Sequence, residues 1–145
     1  MIPTTALAQL DAYQLRVQEL TQASRQFIRR DAAAAQPDLA HTRWQLLRVL
    51  REYQLFKHNE VFDPLIAASR PELVAMASRL KAACMRAAED YRLHTLHWSE
   101  HGAADRWEEY QAAVLSIAER IDEHLETERA AIALLLSNVS RTRKP

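Results

Sequence analysis

Apolar residues recur along this chain in steps of three and four, the spacing that lines one face of an α-helix. Between about residues 5 and 30 the recurring positions are Ala6, Leu10, Tyr13, Val17, Leu20, Ser24 and Phe27. Residues Asp31 to Asp38, with Pro37, read as a loop. A second helix is predicted from about Leu39 to Ala67, with Asp38 as its N-cap. Its inward stripe is Trp44, Leu47, Gln54, His58, Val61 and Leu65, widened by Leu50 and Phe62. Pro64 lies inside that pattern and is expected to kink or loosen the last turn. Ser69-Arg70-Pro71-Glu72 reads as a capping box, which starts a third helix near Arg70. Leu73, Ala77, Leu80, Cys84, Ala87, Tyr91, His94 and Trp98 form its stripe, and Gly102 ends it. A fourth helix, about Ala104 to Asn138, carries Tyr110, Val114, Ile117, Ile121, His124, Glu128, Ala131 and Leu135. Four helices with short connections predict an all-α fold, an up-down-up-down antiparallel four-helix bundle.

Composition narrows this picture. The 145 residues suit a single domain, 1–145, with 139–145 expected as a disordered basic tail. One glycine in the whole chain excludes Gly-rich phosphate-cradling loops. Nineteen basic residues balance nineteen acidic ones, so no basic field favours nucleic acid. Cys84 has no partner for an internal disulfide, which favours a reducing, cytoplasmic location. The longest apolar run, Ala130 to Leu136, is too short to span a bilayer, and the N-terminus carries no secretory pattern.

The informative residues are the polar ones on apolar stripes, because a buried polar group must find a partner. His124 and Glu128 lie four apart, one above the other on the fourth helix. Gln54 and His58 do the same on the second, and Tyr13 lies at a similar height on the first. Counting 1.5 Å per residue brings these side chains to one layer, faced by Met76 to Cys84. Inward His and Glu at helical spacing can hold iron or zinc, with His58, His124 and Glu128 as ligands and Tyr13, Gln54 and Cys84 beside them. The same residues can equally form a metal-free hydrogen-bonded network. No nucleophile–base set appears, so an enzyme is not expected.

At Ile121-Asp122-Glu123-His124-Leu125-Glu126-Thr127-Glu128-Arg129 the chain resembles the fourth-helix His-x-x-x-Glu motif of the hemerythrin-like, or HHE cation-binding, family. Phe62-Asp63-Pro64-Leu65 is similar to the end of that family's second helix, and Leu10-Asp11-Ala12-Tyr13 to the start of its first. The resemblance implies a four-helix bundle binding iron, and a bacterial sensor or carrier for oxygen, nitric oxide or redox state. Tyr13 stands where the family has a first-helix histidine, and Gln54 and His58 stand at its second-helix ligand positions. The implied site is therefore mononuclear or an altered di-iron centre. A fainter resemblance, carried by Lys57-His58-Asn59-Glu60-Val61-Phe62 and the fourth helix through Leu136, is to bacterial anti-sigma regulators of the Rsd/AlgQ type. It implies a metal-free bundle that binds a protein partner.

Overall fold

The computed structural model describes residues 3–68, 70–101 and 104–142, and these are almost entirely helical with no strand among them. Helix α1 spans Pro3–Phe27 and α2 spans Ala32–Lys57. A π-helical turn, His58–Phe62, joins α2 to the short α3, Asp63–Ala67, so the backbone stays helical from Ala32 to Ala67. Helix α4 is Pro71–His101, and a 3₁₀ turn at Ala104–Arg106 leads into α5, Trp107–Thr142. The result is a helical bundle of four rods. No helix among the described residues is long and apolar enough to cross a membrane.

The rods pack in a ring: α1 lies against α2 and α5, and α4 lies against α2 and α5. One apolar cluster runs most of the length, through Leu10, Tyr53, Leu73 and Leu135. A second, at one end, joins Ile28, Leu39, Trp98 and Tyr110. Named contacts fix the heights. Asp11 meets Arg129, Gln14 meets Leu125 and Arg25 meets Asp122 between α1 and α5. Tyr91 meets Arg43 between α4 and α2, and Asp90 meets Arg120 between α4 and α5.

Four expectations change. First, Asp31 to Asp38 is not a loop, because α2 begins at Ala32 with Asp31 as its N-cap residue. The run Ala32–Ala35 is strongly helix-forming, and the helix continues through Pro37 although proline donates no hydrogen bond there. Second, the inward face of α2 is rotated by about one residue. Leu39, Thr42, Leu46, Val49, Tyr53, Phe56 and Lys57 are buried, whereas Trp44 is 55% exposed and Gln54 and His58 are only half-buried. Third, at two positions of the first stripe the next residue is the buried one: Gln14 and Ile28 are buried, while Tyr13 and Phe27 are half-buried. Fourth, α5 continues to Thr142, through residues expected to be a tail. Helix α4 does start beside Pro71, in the first-turn position that tolerates proline. Ser69 and Gly102, the expected cap and stop, lie outside the described residues.

Pro64 does not break the rod. It cannot donate to the carbonyl four residues back, and its ring clashes there in an α-helix. The turn before it widens, and the Asp63 amide donates to the His58 carbonyl, five residues back. The rotated face of α2 is checked by paired truncations in urea unfolding. Leu46→Ala should destabilise by about 2–5 kcal/mol, and Trp44→Ala by no more than about 1 kcal/mol.

Candidate functional site

The bundle core contains an ion pair. Lys57 and Glu128 expose only 3% and 2% of their side chains, and their contact is direct. The Lys57 ammonium donates to both carboxylate oxygens, at 2.8 Å to Oε1 and 2.9 Å to Oε2. The Tyr53 hydroxyl donates to Oε1 at 2.7 Å. His124 Nε2 lies 3.2 Å from Oε2, and since a carboxylate only accepts, that nitrogen carries the proton. Gln14 completes the network, its amide donating to the Tyr53 hydroxyl oxygen at 2.9 Å and to the Leu125 carbonyl at 3.0 Å. The ammonium also sits 3.8 Å from the centre of the Tyr53 ring, a cation–π contact.

Local sequence explains each placement. Tyr53 and Lys57 are four apart on the true inward face of α2, and His124 and Glu128 are four apart on α5. From α4 the Cys84 thiol faces Lys57, and burial pushes the thiol up, so it stays protonated. Burial and the nearby carboxylate raise Tyr53 far above the usual phenol range, so it remains a neutral donor. Burial pushes Glu128 upward too. The hydrogen bond from His124 and the charge of Lys57 outweigh that and hold its carboxyl at about 2.

Of the residues singled out in the sequence, His124, Glu128 and Cys84 meet in this layer. Tyr13 lies beside it, its ring 5.7 Å from Tyr53 and 5.3 Å from Phe56, as packing. Gln54 lines the neighbouring cleft. His58 turns to Phe62, with ring centres 5.8 Å apart, and its Nε2 is buried with no hydrogen-bond partner. Burial lowers its pKa, and Lys81 lowers it further. No group of three or more His, Cys, Asp or Glu side chains among the described residues is placed to hold a metal ion. Lys57, Tyr53 and Gln14 are the residues that sequence reasoning missed. For Tyr53 and Lys57 on α2 the signal is the alternative phase Leu46, Val49, Tyr53, Phe56, a regular 3-4-3 pattern.

Beside the layer, α2, α4 and α5 enclose a cleft of about 310 Å³. Four of the side chains that α4 presents there are small, Ala83, Cys84, Ala87 and Ala88, and leave the space open. Leu50, Ile117, Ile121 and Leu125 form apolar walls, Lys57 and His124 lie deeper, and Arg86, Asp90 and Arg120 line the rest. No protein-family model, curated protein or solved structure matches this chain.

The low carboxyl pKa makes stability depend on pH. A depressed folded-state pKa contributes stability that is complete above the unfolded value and is lost as pH falls through the folded one. For Glu128 that window runs from the ordinary value, 4.5, down to about 2, and corresponds to about 3 kcal/mol. Chemical unfolding between pH 7 and pH 2 should show wild type losing stability across this window. Glu128→Gln should lack that component and be less stable at pH 7 by about 3–5 kcal/mol, because Lys57 is left buried and unpaired.

Proposed function

We propose that this chain is a metal-free binding protein on a hemerythrin-like scaffold, in which the Lys57 ammonium occupies the cation position that iron would take. The observation that carries the reading is the state of Glu128. Both of its oxygens are engaged by Lys57, one also by Tyr53 and the other also by His124. A carboxylate ligand must offer lone pairs to the metal, and these are already committed to protonated donors. An iron-dependent sensor or carrier would first require the ammonium to leave, with a cationic chain stranded in the core. The donor set therefore fits an ammonium and not a metal ion. We read the rods as alternating in direction, up-down-up-down. The pairs Asp11–Arg129 and Arg25–Asp122, whose numbers run in opposite senses, support this. With its thiol buried and protonated, the protein suits a reducing cytoplasm, and Cys84 is not poised as a nucleophile.

A specific observation also favours a protein partner. Trp44, Arg48, Arg51 and Leu55 follow at spacings of four, three and four and are all exposed, an aromatic and basic stripe along α2. Large exposed apolar side chains in one stripe mark a contact surface. On this reading the bundle is a regulator, with one face for a partner and a cleft for a ligand.

Thermal melts test the metal-free core. Wild type should melt at one temperature with excess Fe(II), with excess Zn(II) and with chelator. A metal-dependent rise in wild type that disappears in His124→Ala would overturn the proposal and restore the iron reading.

A further inference from the structure

We infer that the cleft beside the Lys57–Glu128 layer binds a small amphipathic carboxylate, an organic acid with a short apolar body and one anionic head. Its volume of about 310 Å³ is at the lower end for small-molecule sites, of roughly 300–1,000 Å³. The inference rests on the metal-free reading of the layer, since a bound cation would change the charge on which it depends.

The ligand class follows from the charges. Three full cations line the cleft: Lys57, Arg86 and Arg120. Lys57 is answered by Glu128 and Arg120 by Asp90. Arg86 has no ion pair among the described residues, so one guanidinium is left uncompensated. A guanidinium presents a planar fork of donors that matches a carboxylate. A cationic ligand would meet the uncompensated charge of Arg86, which disfavours amines. The walls of Leu50, Ile117, Ile121 and Leu125, with Ala83 and Ala87 opposite, offer only apolar contact to the rest of the molecule. A fully polar anion would leave those walls uncovered, whereas an acid with a hydrocarbon body covers them while its head reaches Arg86. Covalent capture by Cys84 plays no part, because its thiol is held protonated.

Isothermal titration of the whole chain at low salt, with hexanoate as the probe and 1-hexanol and hexylamine as matched controls, tests this. Hexanoate should saturate one site with a Kd at or below about 1 mM. The alcohol should bind at least about tenfold more weakly and the amine more weakly still. Arg86→Glu, on an exposed position, should weaken hexanoate by about tenfold or more with an unchanged circular dichroism spectrum. Ala87→Leu should fill the cleft and abolish binding. If that variant misfolds, Arg86→Glu alone decides. Failure of hexanoate to saturate wild type, equal binding of the alcohol, or full binding by Arg86→Glu would each overturn the inference. If wild-type melts are also metal-independent, such a failure removes the ligand and leaves the Lys57 core standing. A metal-dependent melt removes both.

Discussion

Two opposite charges, Lys57 and Glu128, lie in the centre of the bundle, and the surrounding structure is arranged to satisfy them. Moving an ion out of water costs several kcal/mol even after relaxation. The mutual attraction of the pair offsets this only when the geometry is close and the remaining hydrogen-bonding capacity is used. Here it is used by contributors from every rod: Gln14 on α1, Tyr53 with Lys57 on α2, Cys84 on α4, and His124 with Glu128 on α5. A rotation of α2 by one residue, about 100°, would expel Lys57 and leave the Glu128 carboxylate without its counter-charge. The pair therefore selects one register out of several that hydrophobic burial alone would accept. Specificity rather than net stability is its contribution, since a well-packed apolar pair of similar volume is often at least as stable.

The cleft follows from how α4 meets that layer. Had α4 carried leucines at 83, 87 and 88, the space would be filled and His124 sealed. With alanines there, His124 keeps 25% of its side chain exposed while its partner Glu128 keeps 2%. The imidazole thus links a buried carboxylate to an accessible space. The two guanidiniums bordering the cleft arise from ordinary surface positions on α4 and α5, and only their placement around a void gives them a common field.

The sequence made much of this fold legible. On α5, Tyr110, Val114, Ile117, Glu128 and Leu135 are buried as their periodicity predicts, and on α4 so are Leu73, Ala77, Cys84, Tyr91 and Trp98. Proline at the start of α4 gave its boundary through the chemistry of the first turn. The failures are equally physical. On α2 two apolar phases compete, and the correct one ends in a lysine, which pattern reasoning assigns to solvent because lysine is almost never fully buried. Trp44, a large aromatic, pulled the expected face toward the wrong phase. The pairing of His124 with Glu128 was legible because it lies within one helix. Its completion by Lys57 and Tyr53 depends on a contact between residues about seventy apart, for which helical spacing carries no information.

The π turn at His58–Phe62 changes the phase of the rod between Lys57 and Pro64. The stripe read from the sequence runs through Gln54 and His58. The inward residues are Tyr53 and Lys57, each one place earlier. A turn closed by an i to i−5 hydrogen bond contains one extra residue relative to an α-turn, and one such turn lies between Lys57 and Pro64. In an unbroken α-helix Phe62 would point about 140° away from Lys57. With the wider turn Val61 and Phe62 both lie in the core, at 1% and 0% exposure, beneath a lysine that is also inside. The widening that accommodates Pro64 thus also resets the phase of the rod. It keeps an apolar face on α3's side of the turn and frees the preceding turn to present an ammonium to Glu128. His58, the residue that the sequence stripe places inward, lies on the flank against Phe62. Lys57 in the core and His58 on the flank therefore meet at the start of one wide turn before the proline.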